Sequence, residues 1–519
     1  MDRQWHDQFK YHIKKHRAGL NYKLNKIDPY KNKQLFLDDY VIEKLDSLDR
    51  ILHQPERHGP VLTPDVSLGQ TQTQTKSIPW WNPDSDLWEW WYWAMYDGID
   101  HHNELPSKMY ALEGRVSHYA TSTDGFHWDT PEVGLYEFRG SKINNVAYDC
   151  SELDLILFHI IRDDIDPDPQ KRYKGIFAKS NNLEDRLPGF SHNGFDWKYP
   201  DSKPIPSKDT SVFVHDQTNN QFIGTVKHGT EWGRSIWLST SPDFIEWTDP
   251  KLVLHSDLID SKNRKNRVAS VVKDANYLSP PLVDDNDYLA EVYLMPVMPY
   301  EGIYIGFPML FNPAGAIPPP HGNFTALNQT ELTVSRNLHN WDRVANRSLF
   351  LDVLPWDEQT FETAQLSLCG PPIIRDNQLW IYYNASRYRG PRELYTEIED
   401  QYFEQRGAVC LAKLRLDGFV SLNTQQSGSV VTKPFLAKGG VLHVNADVSQ
   451  GNIKAEILDA ESFQPINTLS LKNSNPFTGD HISKSLTWQE HDEIVSEKLV
   501  RIRFVIENGD IYSFWFERS

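Results

Sequence analysis

The strongest constraint on the fold is a seven-residue phrase that begins with Ser and ends with Trp. In each copy the residues between Ser and Trp are turn-formers or polar residues. The copies are STDGFHW (122–128), SHNGFDW (191–197), SPDFIEW (241–247) and SRNLHNW (335–341). A phrase that recurs at irregular intervals indicates similar structural units joined by loops of variable length.

The stretches around this phrase have a common order of β-type segments. Strand A is followed by a tight turn, strand B, a longer loop and strand C, as in ILFHIIRD, RYKGIFAKS and GFSHNGFDW. Five such units predict an all-β chain with a five-bladed β-propeller over residues 34–419. The lone strand at Gln34–Leu45 would complete the last blade, so that no edge stays unpaired.

The residue pattern of the sequence changes after Gly418. Segments such as NIKAEILD and KLVRIRFVIENG alternate apolar and polar residues, and the Ser-to-Trp phrase is absent. This pattern predicts a β-sandwich over residues 420–519. Residues 1–33 are polar and basic, and we treat them as an N-terminal extension.

Composition limits the possible partners of the chain. A net charge of −18 and a pI near 5.5 argue against a nucleic-acid partner, which needs a basic stripe. Cys150, Cys369 and Cys410 lie too far apart to indicate a disulfide framework or a zinc site, and no metal or cofactor is predicted. No apolar run reaches membrane-spanning length, and the oligomeric state stays open. We expect a periplasmic or secreted protein if a signal peptide has been removed, and a cytoplasmic one otherwise.

The loops between strands B and C are long and chemically rich, so we expect the functional site on their side of the units. Acids in the tight A–B turns and in the Ser-to-Trp turns are predicted to bond their own backbone. That leaves Asp209 and Glu291, which open strand A of the third and fourth units. Glycoside cleavage needs a carboxylic acid and a carboxylate that converge. We therefore predict Glu291 as general acid and Asp209 as base or stabiliser, with Glu231 and Glu113 as further candidate acids.

Several long segments resemble a known group of enzymes. FLDDYVIE, LHQPERHGPVL, the five repeated units and the ending RIRFVIENGDIYSFWF resemble bacterial relatives of glycoside hydrolase families 32, 43 and 68. The resemblance covers nearly the whole chain and implies a five-bladed propeller, followed by a sandwich as in family 32. It also implies Glu291 as the acid and Asp209 as the stabiliser. The first unit departs from the pattern, because Gln70, Gln72 and Gln74 stand where the families carry an Asp nucleophile.

The predicted functional side also collects basic and aromatic residues on this acidic protein. The candidate substrate-binding residues are His101, Arg115, His228, Arg234, Tyr293, Arg387 and Arg389. Arginine forks suit carboxylate or sulfate groups, which suggests an anionic sugar, although these arginines could instead pair with nearby acids. The sequence thus predicts an exo-acting glycoside hydrolase. Two alternatives stay open, a non-catalytic carbohydrate-binding propeller and a lyase that uses His228 and Tyr293 as base and acid.

Overall fold

The structure is a computed structural model that describes residues 27–96, 116–138, 140–149, 155–179, 184–319, 322–390, 394–395, 402, 404–466, 468–489 and 497–518. The chain divides into two compact units. Unit 1 contains residues 1–51 and 420–519, and unit 2 contains residues 52–419. Strands dominate both units, which confirms the all-β class.

The strands are numbered in chain order. The first three are β1 (Gln34–Leu35), β2 (Ile42–Asp46) and β3 (Asp49–Leu52). Those that follow, up to residue 419, are β4 (Glu56–Leu62), β5 (Gln70–Gln74), β6 (Trp80–Asn82), β7 (Leu87–Tyr96), β8 (Ser117–Ser122), β9 (Val146–Tyr148), β10 (Leu155–Arg162), β11 (Tyr173–Lys179), β12 (Leu187–Ser191), β13 (Val212–Asp216), β14 (Gln221–Thr230), β15 (Gly233–Ser241), β16 (Lys251–Leu254), β17 (Glu291–Leu294), β18 (Val297–Tyr300), β19 (Ile303–Gly306), β20 (Met309–Ala316), β21 (Phe324–Glu331), β22 (Thr333–Ser335), β23 (Asp342–Arg343), β24 (Leu349–Leu351), β25 (Gln365–Leu368), β26 (Ile373–Arg375), β27 (Gln378–Ser386) and β28 (Gly407–Arg415). The last are β29 (Val420–Thr432), β30 (Phe435–Leu436), β31 (Val441–Asp459), β32 (Phe477–Leu486) and β33 (Leu499–Glu517).

Unit 2 consists of antiparallel meanders that follow one another along the chain. They are β5-β7-β8-β9, β10-β11-β12, β13-β14-β15-β16, β17-β20-β21 with β18-β19-β22-β23, and β25-β27-β28. Two parallel bridges join neighbouring meanders, between Asn328 and Gln365 and between Gly407 and Gln72. The A–B–C order predicted from the sequence is therefore present, while the count of five blades about one axis stays a prediction.

The Ser-to-Trp phrase forms the same turn in each copy. In the first copy, the Ser122 hydroxyl oxygen accepts from the Gly125 backbone N–H at 2.8 Å, and Asp124 accepts from two further N–H groups. The residue three after Ser has a positive φ of 74° at Gly125 and 82° at Gly194, which glycine adopts at no steric cost. The closing Trp then packs on the sheet, as Trp128 does on Trp90 with ring centroids 4.8 Å apart.

The strand that closes the last meander differs from the one predicted. The segment Gln34–Leu45 pairs with the C-terminal strands β29 and β33. The outer partner of β28 is instead β4, whose residues 56–62 pair antiparallel with residues 409–413. The sequence alone does not show which distant strand each segment meets.

One α-helix has described bounds, α1 (Leu258–Lys273). The polar and basic run 261–267 lies inside this helix. Asp257 caps the helix by accepting from the Ile259 and Asp260 N–H groups, and the Asp260 side chain accepts from the Asp257 N–H in return. Arg264 is buried, and Arg267 binds the buried Glu331 at 2.6 Å.

Unit 1 is a single hydrogen-bonded set of eight strands. Its main order is β2-β29-β33-β31-β32, with β1 and β30 on β33 and β3 on β29. The predicted accessory domain over 420–519 thus also takes up the first strands of the chain. Its core contains Leu442, Ile457, Trp488, Phe504 and Phe514. No helix in the described part of the chain is long and apolar enough to cross a membrane.

Candidate functional site

Unit 2 contains an open cavity of about 260 Å³. Its walls come from the entries of A strands and from the segments between B and C strands, with residues contributed by several meanders. The lining includes six side-chain amides (Gln72, Gln74, Asn323, Asn328, Gln365 and Asn384), three cations (Lys76, Arg389 and Arg406), four aromatic residues (Trp93, Phe158, Tyr293 and Phe324) and Asp209. Asp209 is the one carboxylate among the described lining residues.

Asp209 lies three residues before the start of β13 at Val212, and its backbone has a positive φ of 54°. Its Oδ2 accepts from Lys227 Nζ at 2.5 Å and from the Tyr293 hydroxyl at 2.8 Å. Burial raises the pKa of Asp209, but the Lys227 charge and the two hydrogen bonds outweigh burial and hold this pKa well below its usual range. The carboxylate is therefore ionised throughout the neutral range, while its side chain is still 44% exposed.

Lys227 and Tyr293 form the buried side of this cluster. The Lys227 side chain is only 4% exposed, and Nζ lies 3.5 Å from the centroid of the Tyr293 ring. Burial lowers the pKa of Lys227 to about 8 against the opposing attraction of Asp209. Burial, followed by the Asp209 charge, raises the pKa of Tyr293. Lys227 thus carries a charge that the protein stabilises poorly, and Tyr293 stays a neutral hydrogen-bond donor.

Glu291 opens β17 but is not among the residues that line the cavity. Its Oε2 accepts from the backbone N–H and from the guanidinium of Arg234, both at 2.9 Å. The Arg234 guanidinium also lies 5.2 Å from the centroid of the Tyr293 ring. Glu291 is therefore connected to Asp209 through Arg234 and Tyr293. The predicted acid pair, Asp209 and Glu291, is thus linked by two intervening side chains, but Glu291 forms an ion pair with Arg234.

Two arginines give the cavity its positive charge. Arg389 donates to the side-chain oxygens of Gln365 at 3.1 Å and Asn323 at 3.3 Å, and it stacks on Phe311 at 4.6 Å. The Nε groups of Arg389 and Arg406 are buried without a hydrogen-bond partner, and neither arginine has an ion pair with a described carboxylate. Burial lowers the pKa of Arg389, and the nearby charge of Arg406 adds to this effect.

The remaining predicted residues do not line the cavity. Glu231 is exposed at a turn. His228 Nε2 lies 3.0 Å from the Pro206 carbonyl oxygen, and its ring packs against the Trp237 ring. Arg387 is buried, where it donates to three backbone carbonyls and stacks on Phe361 at 4.2 Å, so its position is structural. Three predicted residues lie outside the described residues: His101, Glu113 and Arg115.

Sequence reasoning missed Lys227, Lys76 and Arg406. A signal existed for Lys227, because it is the single cation inside QFIGTVKHG, a strand whose neighbours are mostly buried. A lysine in a buried strand requires a partner, and such residues mark functional sites more often than ordinary core positions do. Gln72 and Gln74 were noticed only as a departure from the family pattern, although both line the cavity.

The chemistry open to this site follows from its groups. Amides can bind sugar hydroxyls as donors and acceptors, and the arginines can bind an anion. His228, the base in the predicted lyase, is not among the described residues that line the cavity, whereas Tyr293, the acid in that prediction, lines it and has a raised pKa that keeps it protonated. Within the described residues no group of three or more His, Cys, Asp or Glu side chains could hold a metal ion.

Comparison with known proteins gives matches among solved structures only. No family model matches the sequence, and no curated protein is similar to it. An N-acetylgalactosamine deacetylase from F. plautii is 13% identical, covers 72% of this chain and 97% of its own, and has a TM-score of 0.38. A β-fructofuranosidase from Schwanniomyces occidentalis is 13% identical over 89% of this chain and 97% of its own, with a TM-score of 0.36. An exo-β-1,3-galactanase from Phanerochaete chrysosporium is 9% identical over 90% of this chain and 99% of its own, with a TM-score of 0.35. The matched structures include glycoside hydrolase-like proteins, and the function of this site rests on the residues of this chain.

Proposed function

We propose that unit 2 is a five-bladed propeller that cleaves a glycosidic bond at the end of an oligosaccharide whose terminal sugar is anionic. The observation that carries the proposal is the cavity itself. It places one ionised carboxylate, Asp209, among side-chain amides and two guanidinium groups without anionic partners. Neutral amides suit sugar hydroxyls, and the guanidinium groups suit a uronic carboxylate or a sulfate.

Asp209 is the carboxylate that acts at the reacting carbon. Its lowered pKa keeps it ionised, so it can accept a proton from water or stabilise the positive charge that develops on the sugar. Lys227 and Tyr293 fix Oδ2, while Oδ1 has no hydrogen-bond partner among the described residues. One oxygen is thus held by the protein, and the other is available to the substrate.

Glu291 is the general acid in this proposal. As general acid it would donate a proton to the leaving oxygen, and in this structure its Oε2 accepts from the backbone N–H and the guanidinium of Arg234, both at 2.9 Å. The guanidinium groups of Arg234 and Arg389 both lie against the Phe311 ring, at 4.8 and 4.6 Å from its centroid. An anionic sugar bound at Arg389 would therefore compete with Glu291 for Arg234. The release of Glu291 from Arg234 would then accompany substrate binding.

A second function is favoured by one observation. Two-carboxylate chemistry needs both groups at the substrate, and Asp209 is the one carboxylate among the described lining residues. With Glu291 held by Arg234, the same cavity would bind the sugar without cleaving it. This second candidate is a carbohydrate-binding propeller.

The experiment that separates the two functions uses a panel of defined disaccharides with glucuronic, galacturonic or sulfated terminal residues and their neutral counterparts. Released reducing sugar reports turnover, and calorimetry reports binding. Cleavage by the parent, with a loss of about 100-fold or more in kcat for Asp209→Asn and Glu291→Gln, supports the hydrolase. Glu246→Gln, an exposed acid of a Ser-to-Trp turn, is the control and should keep full turnover. Binding without cleavage supports the second candidate, and absence of both contradicts the two together.

A further inference from the structure

The backbone of Asp209 has a conformation that requires support. Its φ of 54° lies in the left-handed region, which non-glycine residues adopt at a cost. Asp tolerates this region better than most residues, but the conformation persists only where surrounding groups determine it. Such outliers concentrate at functional sites, and here the outlier is the residue to which the proposed chemistry is assigned.

Arg186 is the group that holds this conformation. Its side chain is fully buried, and its guanidinium donates to the backbone carbonyl of Asp209. The same guanidinium donates to the Ser211 hydroxyl at 2.8 Å and to the Asp185 carbonyl at 2.7 Å. It lies 4.4 Å from the centroid of the Phe158 ring, which lines the cavity. The rigid fork of arginine can serve these acceptors together, whereas a shorter or single donor cannot.

The main chain of Arg186 is fixed as well. Arg186 and Ile205 exchange two backbone hydrogen bonds, at 2.8 and 2.9 Å, and the Asp185 N–H donates to the Ser207 carbonyl at 3.0 Å. The guanidinium therefore starts from a backbone that is tied to the segment leading into Asp209. Because the Arg186 backbone is fixed by these hydrogen bonds, its guanidinium holds the Asp209 carbonyl in a defined position.

We propose that Arg186 is a positioning residue for Asp209. By binding the carbonyl of Asp209, it keeps the backbone in the left-handed region and thereby directs Oδ2 toward Lys227 and Tyr293. Without this contact the backbone relaxes to a negative φ, and the carboxylate turns away from both donors. The catalytic part of this inference rests on the proposed function of the cavity, but the positional part does not.

The test compares Arg186→Gln and Arg186→Lys with the parent protein. We expect the crystal structure of the Arg186→Gln variant to show Asp209 at a negative φ, with Oδ2 outside hydrogen-bond distance of Lys227. We also expect kcat to fall about 10- to 100-fold while KM changes less than about threefold, because misplacement of a reacting group acts mainly on the chemical step. Arg186→Lys keeps the charge and one donor, so it should restore part of the lost kcat.

Arg501→Gln is the matched control. Arg501 is a buried arginine of unit 1 that also donates to backbone carbonyls and also lies 4.4 Å from a Phe ring centroid. Its replacement carries a similar risk to folding, and we expect kcat to stay unchanged. If Arg186→Gln does not fold, the structure and kinetics of Arg186→Lys decide the question, with a smaller displacement of Asp209 expected.

The outcomes separate this inference from the proposed function. Asp209 at its original φ in the Arg186 variants, or an unchanged kcat in an active enzyme, overturns the role of Arg186. A displaced Asp209 in a protein whose parent cleaves none of the disaccharides supports the positional role and contradicts glycoside cleavage. A displaced Asp209 with a selective loss of kcat supports both.

Discussion

Replacing Lys227 by Met should make unit 2 more stable, which is the opposite of the usual effect of breaking an ion pair. Removing one member of a buried pair typically costs about 3–5 kcal/mol, because the other charge is left without a partner. Here the two partners differ in burial. The Lys227 side chain is 4% exposed and that of Asp209 is 44% exposed, so the charge that remains in Lys227→Met still reaches the solvent of the cavity.

The magnitude follows from the pKa of Lys227. This pKa falls from 10.5 to about 8 in the folded protein even though Asp209 is present. One pKa unit corresponds to about 1.4 kcal/mol, so charged Lys227 destabilises the fold by about 3 kcal/mol relative to an uncharged side chain. Met is similar in length, and its sulfur can pack against the Tyr293 ring, which lies 3.5 Å from Lys227 Nζ. We expect Lys227→Met to gain as much as about 3 kcal/mol at pH 7.

The gain should depend on pH in a defined direction. The folded protein releases the Lys227 proton near pH 8, whereas the unfolded chain keeps it up to about 10.5. The parent therefore loses stability from this group as the pH falls from about 10.5 to about 8, and it recovers this stability as the pH rises through the same range. The advantage of Lys227→Met is complete at pH 7 and shrinks between pH 8 and 10.5. Asp209→Asn should have the opposite sign at pH 7, because it leaves Lys227 buried without its carboxylate.

The assay is urea unfolding at pH 7, 9 and 10, followed by tryptophan fluorescence, with calorimetry to identify the transition of unit 2. Lys203→Met is the matched control, because Lys203 pairs with Asp249 at the surface and its loss should leave the free energy of unfolding unchanged. A Lys227→Met protein that is less stable than the parent at pH 7, or whose difference from the parent is the same at all three pH values, refutes the reasoning. We expect the more stable variant to be less active, because Asp209 loses one of its two donors.

Three further predictions concern single residues. Gly233→Ala should lower the free energy of unfolding by about 1–3 kcal/mol, because Gly233 has a φ of 77° and a Cβ there would lie 2.7 Å from the Glu291 carboxyl carbon; a loss within error in urea unfolding contradicts this. Ser191→Ala should lower it by about 1 kcal/mol through loss of the hydrogen bond from the Gly194 N–H at 2.9 Å, and an unchanged thermal midpoint contradicts this. Arg389→Gln should weaken binding of glucuronic acid about tenfold or more and leave binding of glucose unchanged; an equal loss for both sugars in calorimetry contradicts the anionic assignment.

The sequence predicted well those features that depend on neighbouring residues. The Ser-to-Trp turn follows from local hydrogen bonds at residues 122–128, and the strands on either side follow from apolar alternation. The same local argument found Asp209, because the entry to β13 could be read from the chain. Helix α1 was missed although the capping residues Asp257 and Asp260 were readable, since the polar run after them hid the helical period.

Features that depend on distant partners were not predicted. Nothing near Gln34–Leu45 shows that it pairs with β33 rather than with β28. The sequence places Glu291 at a strand entry, but it does not predict the ion pair of Glu291 with Arg234, which is 57 positions away. Arg186 reads as an ordinary loop arginine until the structure brings it to the Asp209 carbonyl. Each miss is a contact whose two members are separated in sequence and joined only by the tertiary fold.

The division of the chain has a consequence for biosynthesis. Unit 1 is assembled from both ends of the chain, so β1 and β2 emerge from the ribosome hundreds of residues before β29 and β33, the strands with which they pair. Unit 2 can close in the meantime, since β4 meets β28 and the His53 N–H reaches the Phe419 carbonyl at 3.1 Å. During translation the nascent N-terminal strands present unsatisfied edges, which chaperones commonly shield. Slow translation after residue 419 would prolong that exposure, while unit 2, whose first and last residues adjoin, is suited to expression as an excised or circularly permuted domain.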